Sequence, residues 1–327
     1  MKSKLKKIMS ICLSMVLTFS LALPVCAEPS DGSEKMKPIV NEVTVKTVIT
    51  KSNLPVGDYS VNPYIGCTHA CKYCYASFMK RFTGHTEPWG TFLDVKHWEP
   101  IRNPGQYRGK EFFIGSVTDP YNPQEAKYKR TRAFLEQLQG SGAKISIQTK
   151  SDLVLRDIDL IKTFPDARVG FSINTLDENF KNDMDKAVSI ERRLAAMKAF
   201  HDAGVRTTCF ISPIFPGITD VEAIIDRVKD QCNLVWLENL NLRGEYKRVI
   251  LDYIREKHPQ LMPLYDEIYQ HGNRSYWETL NSRLSKFALE EGVRYVRNDD
   301  SFTQPFDAPP TIVNFFYHEE IKKSAKK

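Results

Sequence analysis

The sequence lacks internal repeats and low-complexity tracts, and after residue 27 it lacks any apolar run long enough to cross a membrane. Solenoid architectures are therefore excluded, and so is a membrane span in the body of the chain. The body also lacks an excess of positive charge, because subtracting the eight terminal lysines from the formal charge of +6 leaves −2. Those lysines are Lys2, Lys4, Lys6, Lys7, Lys322, Lys323, Lys326 and Lys327. A protein that is basic over its whole surface, as nucleic-acid binders usually are, is thus excluded, although a local basic groove is not.

Three cysteines within eight residues, Cys67, Cys71 and Cys74, form the sharpest local pattern of the chain. Thiolates are the usual ligands of iron–sulfur clusters, and a cubane bound by three of them keeps one iron free to bind a substrate. Two other interpretations stay open: a zinc site with His69 or His85 as the fourth ligand, and a disulfide with one spare thiol. Structural zinc sites usually consist of two separated ligand pairs, so the triplet favours the cluster.

Strand and helix patterns alternate through the rest of the chain. We predict a strand or hairpin over residues 39–50, a helix over 75–81 and a long irregular connection over 87–109. Further strands are predicted over residues 111–117, 144–149, 168–174, 205–212 and 234–240, with helices over 124–139, 151–164, 190–203 and 220–229 and from 245 onward. Strands that recur about every 25 to 35 residues with helices between them indicate βαβ units and a parallel sheet.

Six βα units result when the strand before the cysteine loop is counted. We therefore predict an α/β fold, a partial (βα)6 TIM-type barrel, with a helix over 275–291 and a strand near 311–316 as a C-terminal extension. The predicted domains are a leader (1–27), an N-terminal extension (28–50), the core (51–245) and a C-terminal extension that covers the barrel (246–327). Ligands of such folds bind at the C-terminal ends of the strands, where the cysteine loop lies.

The pattern C-x₃-C-x-aromatic-C, in which Tyr73 precedes the third cysteine, resembles the signature of the radical S-adenosylmethionine (SAM) superfamily. Further stretches resemble spore photoproduct lyase and the related group called radical SAM mobile pair protein B, over about residues 51–241. They are Asn62-Pro63-Tyr64, residues 115–121 (GSVTDPY), Thr149-Lys150-Ser151 and residues 171–174 (FSIN). The resemblance implies a [4Fe-4S] cluster and SAM. The amino and carboxylate groups of SAM chelate the open iron, and an electron from the cluster cleaves SAM to methionine and a 5′-deoxyadenosyl radical. It also implies a reducing partner such as flavodoxin or ferredoxin, and it admits a nucleic-acid substrate and a second radical SAM protein as partners.

The resemblance also assigns individual residues to the site. The cluster ligands are matched by Cys67, Cys71 and Cys74, and the SAM contacts by Asp119, Lys150, Ser172 and Asn174. Lys150 stands where the lyase has a lysine near the SAM carboxylate, and a compact cation suits that anion. Asp119 stands where the SAM ammonium group is bound, and Ser172 where a serine contacts SAM. Plainer roles stay open: an exposed lysine at a helix start, a strand hydroxyl bonded to backbone, and a turn-forming aspartate before Pro120.

Tyr73 and Tyr75 match two tyrosines of the lyase and are the candidate catalytic residues, of which the resemblance places Tyr75 in radical transfer. The lyase cysteine that donates a hydrogen atom is matched by Val117, in a strand without cysteine. Repair of thymine photoproducts is therefore not expected. The predicted function is radical chemistry of a lyase-like or oxidoreductase-like kind on a C–H bond of a nucleic acid, a nucleotide or a peptide.

Two functions of other classes stay open. A zinc-stabilised module without catalysis could bind single-stranded nucleic acid through an aromatic stacking platform, although the same side chains could equally pack their loop onto the barrel. The platform would consist of Trp89, Phe92, His97 and Trp98. A secreted binding protein would instead pair its cysteines in disulfides. Elsewhere, Cys209 and Cys232 have apolar surroundings typical of inert buried thiols. Arg193 is expected at the surface, and a further polar contact in the site is the alternative for it.

The first residues conflict with this chemistry. Residues 1–27 resemble a secretory signal peptide, with a lysine-rich start, an apolar run over residues 11–25 and a cleavage site at Val25-Cys26-Ala27. A cluster sensitive to oxygen belongs in a reducing compartment, which argues against secretion. Met36 offers an alternative start, so we predict a cytoplasmic protein whose mature core has no membrane contact.

Overall fold

Strands and helices alternate through residues 37–54, 56–297 and 304–317, the part of the chain that this computed structural model describes. The predicted leader lies outside these residues. The strands are β1 (Ile39–Thr44), β2 (Ile49–Lys51), β3 (Tyr59–Val61), β4 (Tyr64–Ile65), β5 (Phe92–His97), β6 (Glu111–Ile114), β7 (Lys144–Thr149), β8 (Ala167–Ser172), β9 (Arg206–Ile214), β10 (Leu234–Asn239), β11 (Tyr295–Arg297) and β12 (Thr311–Asn314). The α-helices are α1 (Glu125–Tyr128), α2 (Arg130–Leu138), α3 (Ile158–Ile161), α4 (Glu178–Met184), α5 (Ile190–Asp202), α6 (Val221–Val228), α7 (Gly244–Lys257), α8 (Met262–Tyr269) and α9 (Ser275–Glu290), and 3₁₀ helices span Tyr75–Phe82, Pro104–Tyr107, Asp152–Asp157 and Pro259–Leu261. None of the helices among these residues combines the length and apolar character that a membrane span requires.

The larger of two sheets has the strand order β11-β12-β10-β9-β8-β7-β6-β3-β2. Neighbouring strands are parallel, except that β2 pairs antiparallel with β3. The strands β6 to β10 are each followed by a helical segment, and β3 is followed by β4 of the smaller sheet and then by the 3₁₀ helix Tyr75–Phe82, which gives the six predicted βα units. Within the described residues, β2 and β11 are the two edges of the sheet, so the barrel is open. The predicted α/β fold, a partial (βα)6 barrel with C-terminal helices and strands, is confirmed.

The two faces of this sheet carry different side chains. Along β7, buried residues alternate with half-buried ones, and the buried Ile145 and Ile147 belong to the core beneath the helices. In the same core, Phe171 of β8 packs against Phe200 of α5 with ring centroids 6.2 Å apart. Each fully buried apolar side chain of this kind contributes about 1.5–3 kcal/mol. The helix-facing layer thus stabilises the sheet, while half-buried polar residues such as Gln148 lie on its other face.

A second, three-stranded sheet supports the cysteine loop. Its order is β1-β5-β4, with β1 parallel and β4 antiparallel to β5. A hairpin over residues 39–50 is wrong, because β1 pairs with β5 whereas β2 pairs with β3. The connection over residues 87–109 is not irregular throughout, since it contains β5, whose first four residues are buried.

The aromatic residues that follow the cysteine loop pack inward. Phe92 is fully buried and Trp98 nearly so, with the Arg130 guanidinium 4.2 Å from the centroid of the Trp98 ring. The His85 imidazole stacks on the Phe92 ring at 3.8 Å, and Trp89 meets the same ring edge-on. Packing of this loop onto the barrel is therefore favoured over an exposed stacking platform.

Candidate active site

The cysteine loop, residues 66–74, leaves β4 through a tight turn. Gly66 has a φ angle of +82°, and a Cβ atom there would lie 2.5 Å from the Phe92 carbonyl oxygen. Further along, a Cβ atom on Gly90 would lie 2.6 Å from the Cβ atom of Ala70. Two glycines thus let the loop approach the chain around β5 more closely than any side chain would allow.

The three cysteines of the loop are free thiols, of which Cys67 is buried and the other two are half-buried. Burial, together with the charges of Asp119 and Cys74, raises the pKa of Cys67 to about 12. Burial also raises the pKa of Cys71 and of Cys74, and the neighbouring thiolates add to the effect at Cys71. Three thiols that oppose one another's ionisation require a positively charged partner to become thiolates, and an iron–sulfur cluster is such a partner.

Other groups of the loop also fit a bound cluster. Among the described residues, Thr68 Oγ1 and His69 Nδ1 are buried without a hydrogen-bond partner. The two histidines considered as a fourth zinc ligand have carboxylate neighbours: His69 Nε2 is 3.1 Å from Asp119 Oδ2, although it is not aligned for a hydrogen bond. His85 lies between Glu87 and Asp94, with nitrogen–oxygen distances of 3.0 and 2.9 Å. Three cysteines are the ligand number of a [4Fe-4S] cluster with one open iron, and the role of these three as its ligands stays a prediction.

Asp119 connects the loop to the C-terminal end of β7. Its carboxylate accepts hydrogen bonds from Thr149 Oγ1 and the Lys150 backbone N–H, both at 2.7 Å, and from the Tyr121 backbone N–H at 2.9 Å. Burial opposes its ionisation, but His69 and these hydrogen bonds keep the pKa of the Asp119 carboxyl below its ordinary value. The Asp119 carboxylate thus lies between His69 of the loop and the backbone of Lys150. Its contact with the SAM ammonium group stays a prediction.

The Lys150 side chain lies beside the cysteines. Its Nζ is 5.6 Å from the centroid of the Tyr73 ring, and its charge lowers the pKa of Cys71 and Cys74 against the effect of burial. An ammonium group that acts on two of the three thiols is placed to bind an anion next to the proposed cluster. The predicted SAM carboxylate is such an anion.

Ser172 is oriented by a residue that the sequence did not reveal. Gln148 Nε2 donates to Ser172 Oγ at 3.0 Å, and a Cβ atom on Gly170 would lie 2.2 Å from Gln148 Oε1. The glycine therefore makes room for the glutamine that orients the serine. Alternation along β7 was the available signal, because it places Gln148 on the same face as Lys150.

Asn174 follows the end of β8 and is buried. Its side-chain amide donates to the Pro213 carbonyl at 3.2 Å, and its backbone carbonyl accepts from Thr219 Oγ1 at 2.9 Å. These contacts join the ends of β8 and β9. A contact of Asn174 with SAM stays a prediction.

The two tyrosines of the motif have different surroundings. Tyr73 is buried, its ring meets Phe215 edge-on, and its hydroxyl donates to Asp185 Oδ2 at 3.3 Å. Burial and the nearby Cys71 keep the pKa of Tyr73 well above its ordinary value. Tyr75 is 56% exposed and its hydroxyl donates to the Ser116 carbonyl, directly before Val117. Tyr75 is thus the tyrosine that a substrate could approach.

Arg193 is not at the surface, contrary to the sequence-based expectation. Its side chain is 1% exposed and pairs with the equally buried Asp185 at 2.9 Å. The expectation failed because an arginine in the first turn of a helix usually points to solvent, and only the packing of α5 against β8 reverses this.

Comparison with known proteins gives three kinds of match. The family model described as the radical SAM superfamily matches residues 61–228, which is about half of the chain and includes every predicted site residue. An uncharacterised protein of Methanocaldococcus jannaschii is 37% identical over 220 residues, which are 67% of this chain and 83% of that protein. A radical SAM Nα-GlyT isomerase of Pseudomonas phage M6 is 25% identical over 173 residues, 51% of this chain and 36% of that protein.

Among solved structures, a spore photoproduct lyase variant with bound AdoMet and dinucleoside spore photoproduct aligns with a TM-score of 0.49 at 16% identity. The alignment covers 68% of this chain and 66% of that chain. By the match to the family model, and as the cysteine motif predicted, the chain belongs to the radical SAM superfamily and uses its cofactors, a [4Fe-4S] cluster and SAM.

Proposed function

We propose that the chain is an enzyme that cleaves SAM reductively and removes a hydrogen atom from a nucleic acid, a nucleotide or a peptide. The observation that carries the proposal is the position of the Lys150 ammonium at the loop of three free thiols, two of which its charge affects, at the C-terminal end of the sheet. In parallel α/β folds, this is the end at which ligands bind. We assign this chemistry to residues 51–245 and the covering of the barrel to residues 246–327.

Each predicted residue has a role in this proposal. Cys67, Cys71 and Cys74 hold the cluster, which when bound supplies the electron that cleaves SAM to methionine and a 5′-deoxyadenosyl radical. Lys150 binds the SAM carboxylate as a point charge, and the Ser172 hydroxyl, held by Gln148, contacts the same ligand. Asn174 borders the SAM site at the end of β8, where its amide donates to the Pro213 carbonyl. Asp119 holds the backbone of Lys150 next to the loop.

Tyr75 is our candidate for transfer of a hydrogen atom to or from the substrate. It is exposed, its hydroxyl lies at the Ser116 carbonyl, and the adjacent Val117 occupies the position matched to the donor cysteine of the lyase. A phenol is the other side-chain group that readily gives up a hydrogen atom. Tyr73 lies within the loop, is buried and donates to Asp185, so its part in this proposal is to hold the loop in place.

The test is anaerobic reconstitution with iron and sulfide, followed by incubation with SAM and dithionite and an assay for 5′-deoxyadenosine. We expect a brown protein that forms this product, and we expect Cys71→Ala to lose both iron and product. Cys209→Ala is the matched control, because Cys209 is an equally free thiol in the apolar core. A colourless protein that holds zinc and forms no 5′-deoxyadenosine would refute the proposal and favour the zinc-stabilised binding module.

A further inference from the structure

The Arg193 guanidinium donates to three acceptors, which lie in two other segments of the chain. Nη1 donates to the Ser172 carbonyl at 3.1 Å, Nε donates to the Val188 carbonyl at 3.0 Å, and Nη2 donates to Asp185 Oδ1 at 2.9 Å. All three acceptors are buried or half-buried, as is the guanidinium itself. One side chain therefore joins the end of β8, the start of α5 and the segment between α4 and α5.

The Asp185 carboxylate extends this connection to the cysteine loop. Its Oδ2 accepts from the Tyr73 hydroxyl at 3.3 Å, and its Oδ1 accepts from the Ala187 backbone N–H at 3.0 Å. Lys181 lies 3.6 Å away and adds a second buried cation. Asp185 thus receives donors from both sides, and an aspartate bonded in this way has little freedom to move.

The backbone around Asp185 pairs directly with the loop. The Lys72 N–H donates to the Met184 carbonyl at 2.9 Å, and the Lys186 N–H donates to the His69 carbonyl at 2.7 Å. Residues 184–186 therefore bond to the backbone of the cysteine loop on both sides of Cys71. Any shift of this segment would move the loop with it.

From these contacts we propose that Asp185 and Arg193 are positioning residues, which hold the cysteine loop and the Ser172 end of β8 at a fixed separation and thereby set the fit of SAM between them. The inference rests on the proposed function, because it places SAM between the cluster and Ser172. Neither residue touches the ligand in this proposal. They act through Tyr73, through the backbone of the loop and through the Ser172 carbonyl.

The chemistry of arginine explains why this residue type is needed. A planar guanidinium presents donors in fixed directions, so that three acceptors in two segments can be bonded at once. A lysine at the same place would keep the positive charge beside Asp185 but could not reach all three acceptors. Arg193→Lys therefore separates the positioning of the segments from the neutralisation of the buried carboxylate.

The experiment compares Arg193→Lys with Arg192→Lys in the full, reconstituted chain. Arg192 is the matched control, because it directly precedes Arg193 in α5 and also pairs with an aspartate, Asp152, but is 61% exposed. The readouts are iron per chain, anaerobic equilibrium dialysis with labelled SAM, and the electron paramagnetic resonance spectrum of the reduced cluster with and without SAM. We expect Arg193→Lys to keep its iron, to bind SAM roughly ten- to a hundredfold more weakly, and to show a smaller SAM-induced change in the spectrum. Arg192→Lys should match the parent protein in all three.

Tyr73→Phe is a second variant, for use if Arg193→Lys does not fold. It removes the hydroxyl that links the loop to Asp185 and leaves the ion pair and the ring packing intact. Loss of this one hydrogen bond should weaken SAM binding about two- to tenfold.

The outcomes separate this inference from the function on which it rests. If the parent protein takes up no iron and binds no SAM, the proposed function fails. In the other case the parent protein binds both iron and SAM, while the folded variants Arg193→Lys and Tyr73→Phe bind SAM with the affinity and the spectrum of the parent. The function then stands and the positioning role is refuted.

Discussion

Two groups of buried charged side chains look alike and connect different parts of the molecule. The Glu125 network consists of Tyr64, Tyr121, Glu125, Arg132, Arg156 and Asp157, and the Arg193 network consists of Tyr73, Lys181, Asp185 and Arg193. In both, a tyrosine hydroxyl donates to a buried carboxylate that also pairs with an arginine. Burial, ion pairing and a tyrosine are therefore shared features.

The difference lies in where the hydrogen bonds end. Glu125 accepts from the backbone N–H groups of Thr131 and Arg132 at the start of α2, and Arg156 donates to Glu125 and Asp157. These bonds fasten helices to one another and, through the Tyr64 hydroxyl, to β4, but none of them ends within the cysteine loop or at Ser172. The bonds of Arg193 and Asp185 instead end at Ser172 and at the cysteine loop. Buried charge alone thus does not identify a site, whereas the segments that it joins do.

Charge balance separates the two networks as well. The Glu125 network sets two carboxylates against two guanidinium groups, which are 23% and 34% exposed. The Arg193 network sets the Asp185 carboxylate against both Lys181 and Arg193, all nearly enclosed. Besides burial, the Asp185 carboxylate of this network raises the pKa of the Cys71 thiol.

Replacing Arg156 by methionine should cause the largest loss of stability. The change removes ion pairs of 2.7 Å to both Glu125 and Asp157 and leaves these fully buried carboxylates short of a partner. Removal of one partner from a buried pair costs about 3–5 kcal/mol, and the partial exposure of Arg156 places the expected cost near 3 kcal/mol. Urea unfolding at neutral pH measures this difference.

The comparison requires that the same variant leave the site unchanged. At a temperature where Arg156→Met is folded, its iron content and its SAM affinity should equal those of the parent protein. A folded Arg156→Met protein that binds SAM tenfold more weakly would show that the Glu125 network also sets the site.

Replacing Lys150 by alanine should give the reverse pattern. A hydrogen bond to a charged group contributes about 1.5–3 kcal/mol, so we expect SAM affinity to fall by at least about tenfold while the cluster is retained. The free energy of unfolding should change by less than about 0.5 kcal/mol, since the backbone of Lys150 and not its side chain bonds to Asp119. Equilibrium dialysis and urea unfolding test the two parts, with Lys198→Ala as an exposed control. Unchanged SAM affinity would make Lys150 a structural residue.

Acid should weaken the Glu125 network through Asp157. Burial opposes ionisation of Asp157, but hydrogen bonds from Arg156 and Arg132 keep its pKa below the ordinary value. A group with a lowered folded-state pKa stabilises the protein above its unfolded-state pKa, near 4, and this contribution is lost as the pH falls toward the folded-state pKa. Unfolding free energies of the parent and Asp157→Asn from pH 7 down to pH 3 should therefore converge. A constant difference between the two proteins over that range would contradict this account.

Local patterns predicted the larger sheet well and the smaller sheet poorly. Apolar alternation predicted a strand over 144–149, which is β7, and a helix over 190–203, which is α5 with one residue fewer. The smaller sheet was missed because β1 and β5 are about fifty residues apart and β4 has two residues. Such short, distant pairings depend on tertiary contacts that no local pattern encodes.

The site shows the same division. The cysteine spacing identified the family, which the match over residues 61–228 confirms. The resemblance predicted that Lys150 and Ser172 contact the same ligand, SAM. Gln148 and Asp185 were not found, because each acts through a contact with a residue distant in sequence. For Arg193 the difficulty was sharper, since Arg192 and Arg193 are neighbours of one type and only the packing of α5 decides which is buried.

Replacing Arg192 by methionine should have the smallest effect of all. Its ion pair with Asp152 has nitrogen–oxygen distances of 2.6 and 2.8 Å, but the arginine is 61% exposed, and such pairs contribute about 0–1 kcal/mol. We expect a loss below about 0.5 kcal/mol that disappears in 1 M salt, where charges are screened over about 3 Å. SAM affinity should not change. A loss of stability comparable to that of Arg156→Met, or one that salt does not reduce, would mean that exposure is not what separates Arg192 from Arg193. The distinction between the Arg192 surface pair, the Glu125 network and the Arg193 network would then have to rest on geometry alone.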